Sequence, residues 1–162
     1  MLKTPLGYNI SVEKLIHPEA SQIVIISSAT GVVKEFYKHF AAYLYDNGIS
    51  VVTFDYGGIG KSKPISLRTF FTTAHRWATN DLEAVITHVK DEFPDLPVTL
   101  LGHSIGGQLI GLAPSSVLAS RIVLVASQSG YYKFWPFTER LKMLLAWKVL
   151  FPVFYSSLGY IP

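Results

Sequence analysis

Short apolar runs alternate with stripes of helical spacing along most of this chain. Tyr8 to Ile16 alternates loosely, as a strand near the edge of a sheet would. Ile23-Val24-Ile25-Ile26 is continuously apolar, the pattern of a strand buried on both faces of a parallel sheet. Phe36, Phe40, Tyr43 and Leu44 then recur at helical spacing, and Gly48 supplies the left-handed residue that ends such a helix. Ser50 to Phe54 reads as a second buried strand, closing at Asp55. Trp77, Asp81, Leu82, Val85, Ile86 and Val89 share one helix, whose apolar members form a stripe. Pro94 and Pro97 bracket the turn into a third run, Val98 to Leu101. A helix of about two turns is expected between Ser104 and Pro114, because proline at 114 cannot continue it. Ile122 to Ala126 gives one more strand. Strands alternating with helices predict an α/β fold with a mostly parallel sheet covered on both sides.

Beyond Gly130 the texture changes. Ten of the 22 aromatic residues fall in the last 32 positions, and no strand pattern appears among them. The chain therefore divides into 1–130, an α/β core, and 131–162, an amphipathic helical segment that should cover something. Overall, 49% of residues are hydrophobic and 15% charged, with mean hydropathy +0.32. That composition excludes a disordered polyelectrolyte. Absence of cysteine excludes a disulfide framework, a thiolate metal site and a cysteine nucleophile.

The net charge of +3 comes entirely from the last segment, where Lys133, Arg140, Lys142 and Lys148 face only Glu139. No Lys/Arg-rich run exists, so nucleic acid is not an expected partner. These basic residues suit the wet face of an aromatic segment, and contact with a membrane surface is not expected. The stretch Met143 to Tyr155 is too short to span a bilayer and contains Lys148 and Pro152. With no targeting segment legible, a cytoplasmic location is the default.

The chemistry concentrates in Gly102-His103-Ser104-Ile105-Gly106-Gly107, a G-x-S-x-G pattern between an apolar strand and a helix. A nucleophile elbow must present a serine hydroxyl at a strand end through a strained turn. Gly102 and Gly106 remove side chains that would collide there, and Gly107 lets the helix approach the sheet. The N–H of Ile105 would face a developing oxyanion.

Several segments resemble the α/β-hydrolase superfamily, and within it a bacterial group of predicted serine hydrolases. They are Ala29-Thr30-Gly31, Asp55 to Ser62, Trp77 with Asp81, Gly102 to Gly107, and Ile122 through Gly130. The resemblance spans nearly the whole chain but only the N-terminal part of the family fold. It implies a sheet truncated before its last strands, followed by the start of a helical cap. It implies Ser104 as nucleophile, and an acyl-transfer reaction on an ester, thioester or amide, with no metal and no organic cofactor. Family members usually carry His-Gly where this chain has Ser28-Ala29, and by that register Thr30 donates the second oxyanion N–H. The family often has Arg where Gly57 stands. Its Asp55 loop is structural.

That loop contains a phosphate-loop look-alike, Gly60-Lys61-Ser62. The full motif needs glycine at the position of Asp55, where a carboxylate would repel phosphate. No helix opens directly after Ser62, so no helix N-terminus would meet the anion.

A serine nucleophile needs a base and an orienting carboxylate, which in this superfamily follow the serine. After Ser104 the chain has one carboxylate, Glu139, and no histidine. His103 is expected to turn away from the serine, His88 to face solvent, His17 to lie in a turn, and His39 and His75 to take packing or surface roles. Glu139 reads as a surface charge. The triad is thus incomplete, and the chain by itself is expected to be inactive. An unpaired sheet edge and an uncovered aromatic segment fit the front part of a longer hydrolase. The expected partners are a small acyl substrate, and a complementing C-terminal chain or a second copy. The competing reading is a non-catalytic, degenerate hydrolase or interaction module.

Overall fold

The computed structural model describes residues 1–127, 129 and 131–158. The proposed boundary at Gly130 and the terminal Tyr160 and Pro162 lie outside them. A small antiparallel ribbon pairs β1 (Leu2–Lys3) with β2 (Asn9–Ile10). The main sheet contains β3 (Val12–Leu15), β4 (Ile23–Ser27), β5 (Ser50–Phe54), β6 (Val98–His103) and β7 (Arg121–Val125). Its order is β3-β5-β4-β6-β7. Only the edge strand β3 runs antiparallel, against β5; the other pairs are parallel.

Alternate residues of the central strands feed two cores. On one face, Ile23 and Ile25 of β4 pack with Leu82, Val85 and Ile86. Those come from a helix running from α2 (Ala74–Arg76) through a π-helical turn (Trp77–Leu82) into α3 (Glu83–Glu92). Leu109 and Ile110 of α4 (Ile105–Ile110) join them. On the other face, Val24, Ile26 and Val51 meet Tyr37 and Ala41. Burying each large aliphatic side chain contributes roughly 1.5–3 kcal/mol, so the continuous apolar runs account for the strands' placement at the centre.

α1 (Lys38–Asp46) differs from its sequence reading. Phe36, Phe40 and Tyr43 are exposed; of the expected stripe only Leu44 packs towards the sheet, beside Tyr37 and Ala41. Two apolar stripes run one position apart on this segment, and the stripe with small Ala41 at its middle allows the closer approach. The C-terminal end is as expected, with Gly48 at φ +76°.

β7 is a strand without a cover. Ile122, Val123, Leu124 and Val125 are 42–59% exposed, so both faces are open. One edge pairs with β6, and among the described residues no strand takes the other. The tail forms α5 (Phe137–Leu145), a π-helical turn (Ala146–Leu150) and α6 (Phe151–Leu158). Phe137, Leu141, Leu145, Trp147 and Phe154 are exposed. Tyr155 does reach a groove lined by Gly57, Phe70 and Trp77. Among the described residues no helix is long and apolar enough to cross a membrane.

The asymmetry has a measurable consequence. Ile25→Ala should cost about 2–5 kcal/mol in urea unfolding, through lost burial and a residual cavity. Ile122→Ala, at a site already 52% exposed, should cost less than about 1 kcal/mol.

Candidate active site

β4 and β6 are neighbours, yet the chain leaves their carboxyl ends towards opposite faces. After β4 it leads to α1, and after β6 to α4. Such a divergence opens a crevice beyond the strand ends, where open α/β sheets bind their ligands. Ser28 to Thr30 stand on one side of it and Ser104 on the other.

Ser104 adopts φ +55° and ψ −120° between β6 and α4. A non-glycine residue held there costs of order 1–3 kcal/mol and persists only where its surroundings over-determine it. Its N–H donates to the Val125 carbonyl at 2.9 Å, and its carbonyl accepts from the Gly107 N–H at 3.2 Å. The glycines around it are sterically obligatory. A Cβ on Gly102 would lie 2.4 Å from the Gly107 Cα, and one on Gly106 only 2.1 Å from the Ser27 carbonyl oxygen. The Ser27 hydroxyl donates to the Gly106 carbonyl at 2.9 Å, which leaves the buried Tyr56 phenol to donate to Ser27 Oγ at 2.6 Å. On the far side, Ser127 Oγ donates to the Gly102 carbonyl at 3.1 Å. Ala126, just before it, also has positive φ, +48°. Sequence reasoning missed Ser27, Tyr56, Ala126 and Ser127, for no motif spacing links them to the elbow.

Ile105 is the first residue of α4, so its N–H has no intrahelical acceptor. Across the crevice, the Ala29 N–H is taken by the Tyr37 hydroxyl at 3.0 Å. The N–H of exposed Thr30 has no partner among the described residues. Ser28, where the family has histidine, is buried, and its hydroxyl likewise has no partner among them.

No side chain among the described residues hydrogen-bonds the Ser104 hydroxyl, and the histidines lie elsewhere. His103 turns away, its Nδ1 2.9 Å from the Tyr37 hydroxyl. His88 lies 3.1 Å from Glu92 at the surface, and His17 accepts from the Glu19 N–H in a turn. His39 and His75 are exposed, and Glu139 pairs with Lys142. Among the described residues no cluster of three or more His, Cys, Asp or Glu could hold a metal ion.

The loop after β5 is organised by two buried carboxylates. Asp55 accepts from the Lys34 and Lys61 backbone N–H groups at 2.8 and 2.9 Å. The amide that a phosphate would need is therefore occupied, and Lys61 Nζ is bound to Glu35 at 2.8 Å. Asp81 accepts from the Gly57 N–H at 2.8 Å, from Asn80 and from the Tyr8 phenol. Burial pushes its carboxyl above the ordinary value while these donors pull against it. Trp77 donates from its indole to the Gly57 carbonyl at 2.9 Å, so Trp77 and Asp81 clamp one turn together. Gly57 itself has no room for the family's larger residue, since a Cβ would meet the Tyr8 ring at 2.8 Å.

Comparison with known proteins agrees with this fold. The family model described as serine aminopeptidase, S33 (Hydrolase_4) matches residues 18–151. Among solved structures, a lidless α/β serine hydrolase from Xanthomonas campestris superposes with TM-score 0.63 at 21% identity, over 85% of this chain and 63% of that one. A thermostable carboxyl esterase from Bacillus coagulans, in complex with glycerol, gives 0.64 at 20%, over 85% and 46%. A soluble variant of the monoglyceride lipase from Saccharomyces cerevisiae, with a substrate analogue, gives 0.69 at 20%, over 90% and 51%. The chain thus spans between 46% and 63% of the length of these structures.

Gly106→Ala should destabilise the fold by about 3 kcal/mol or more, because a backbone carbonyl cannot yield as a side chain does. Gly111→Ala is the control. Its new Cβ meets only the Gln108 carbonyl, at 3.5 Å, in ordinary helical backbone, so it should be neutral or stabilising by up to about 1 kcal/mol. A second expectation concerns pH. Hydrogen bonds from Lys34 and then Lys61 hold the Glu35 carboxyl down at about 2, against an ordinary 4.5. Folding lowers this pKa, so the contribution is present above pH 4.5 and is lost as pH falls towards 2. Glu35 is 39% exposed, and solvent screening limits the effect to less than about 1 kcal/mol. Glu35→Gln should flatten the acid limb of a stability-versus-pH curve by that amount.

Proposed function

The chain belongs to the serine aminopeptidase S33 family within the α/β-hydrolase superfamily, and from that premise we propose that it carries the nucleophile half of an acyl-transfer site. Ser104 is the nucleophile, and the backbone N–H groups of Ile105 and Thr30 are the oxyanion donors. The observation that carries this reading is the Ser104 backbone at φ +55°, forced on a non-glycine residue between a parallel strand and a helix. The Thr30 N–H, without a partner among the described residues, supports it from the opposite side of the crevice.

In the reaction, Ser104 Oγ attacks the carbonyl carbon of an ester, thioester or amide of modest size while a base takes the hydroxyl proton. The oxyanion is held by the two N–H groups, and its collapse returns the proton to the departing alcohol, thiol or amine. Water then attacks the acyl-serine by the same path and releases the acid. The site needs an imidazole, which this chain lacks after Ser104, and an orienting carboxylate, for which it offers there only Glu139, paired with Lys142. A polypeptide pairing on the open edge of β7 supplies them, and the isolated chain turns over slowly or not at all. Residues 131–162 are the start of a cap, whose aromatic residues suit an apolar acyl or aryl group.

A second reading is favoured by β7 itself. An apolar strand open on both faces suits a protein whose work is to bind another chain, with Ser104 inert.

A fluorophosphonate probe separates the two. Under the first reading it modifies Ser104, located by mass spectrometry, and Ser104→Ala abolishes the label. Free imidazole, standing in for the absent base, should speed labelling by about tenfold or more. A folded sample that stays unlabelled with imidazole present, or a label that survives Ser104→Ala, would overturn the catalytic reading.

A further inference from the structure

We propose that Tyr37 is a positioning residue that couples the two sides of the crevice, fixing the spacing between the Thr30 and Ile105 N–H groups. The inference rests on the reading of those groups as the oxyanion pair.

The register of β4 on β6 ends at Ser27 opposite Gly102. Beyond that point the two chains separate, one into Ser28–Thr30 and the other into the elbow, and no further strand pairing joins them. The Tyr37 hydroxyl spans the gap. It lies 3.0 Å from the Ala29 nitrogen and 2.9 Å from His103 Nδ1. Ala29 adjoins Thr30, and His103 adjoins Ser104.

The proton count fixes the direction of this chain. A phenol has one proton to give. The Ala29 N–H uses the oxygen as acceptor, and among the described residues His103 Nδ1 is the one acceptor within reach of the phenol proton, so the phenol donates to it. Neutral His103 must therefore carry its proton on Nε2. The result is a relay of orientation, from the Ala29 N–H through the phenol to the imidazole, in which each group holds the next. Burial raises the Tyr37 pKa, which keeps the phenol in its donating form.

The post itself is rigid. Tyr37 is 7% exposed and belongs to the core on the α1 face. Its ring meets His103 edge-on, with centroids 6.0 Å apart and planes at 83°. Three residues earlier, the Lys34 N–H is anchored on buried Asp55. The Asp55 loop therefore reaches the crevice indirectly, by fixing the turn from which Tyr37 projects. Donor placement matters because an error near 1 Å in a catalytic constellation can cost about 10²-fold in rate.

Tyr37→Phe keeps the ring and removes only the hydroxyl. In the full chain, three changes are expected. The Ala29 amide should exchange with solvent about tenfold faster or more. The His103 imidazole should lose its preference for the Nε2 proton in nitrogen NMR. The rate of fluorophosphonate modification of Ser104, with imidazole present, should fall about tenfold or more. Ala41→Gly, which loosens the next turn of the same helix without touching the hydroxyl, should leave labelling within about twofold of wild type. Equal labelling losses in the two variants would reduce Tyr37 to a packing residue and overturn the proposal. Unchanged labelling in Tyr37→Phe would do the same. A wild-type chain that never labels would instead count against Ser104 as nucleophile. The bridge would then be judged on Ala29 and His103 alone, and would fail if neither responded to the substitution.

Discussion

The structure hangs on the approach of two backbones. Gly106 sits so close to the end of β4 that a single methyl group would lie 2.1 Å from the Ser27 carbonyl oxygen. This contact draws the start of α4 against β4 while β6 and α4 meet at a sharp angle. Ser104, at the apex, has no choice but positive φ. The strain is offset locally by satisfied polar groups: Ser27 on the Gly106 carbonyl, Tyr56 on Ser27, and the Ser104 N–H on Val125. An exposed serine on an ordinary loop would have none of this pre-orientation, and its hydroxyl would sample many directions.

Around this point the molecule uses buried carboxylates as staples. Asp55 and Asp81 spend their acceptors on backbone N–H groups of turns that have no ladder of their own. Buried carboxylates of this kind hold only because several donors surround each one. The same arrangement explains why a lysine-serine pair after a strand is not a phosphate site here: the protein supplies its own anion to the Lys61 amide. It also links regions distant in sequence, since the segment pinned by Asp55 carries Tyr37 into the crevice.

The other end of the sheet is built by a different balance. β7 and the helices from Phe137 onwards expose apolar side chains that gain nothing while they face water, at roughly 25 cal/mol for each Å² left unburied. The solved structures compared are matched over 46% to 63% of their own length. In this chain, the half of the fold that holds the elbow is well packed, and the apolar residues of β7 stay exposed.

The four parallel strands of the main sheet and the elbow glycines were legible in the sequence alone, whereas Tyr8 to Ile16, read as one strand, divides between two sheets. Continuous apolar runs can be satisfied only in a sheet covered on both faces, and G-x-S-x-G between strand and helix leaves few backbone solutions. The absence of histidine after Ser104 needs no coordinates at all. The helix at residues 38–46 was found by its period, but its buried face was not, because two apolar stripes lie side by side and only the sheet selects Tyr37 and Ala41 over Phe36 and Phe40. The partners of the elbow were likewise invisible: Ser27 and Ser127 are ordinary serines until the chain folds them onto Gly106 and Gly102. Local pattern reports what a residue needs from its surroundings, such as burial or a turn. Which distant residue meets that need is a matter of long-range contact, and the tertiary structure alone decided that Tyr37 would stand between Ala29 and His103.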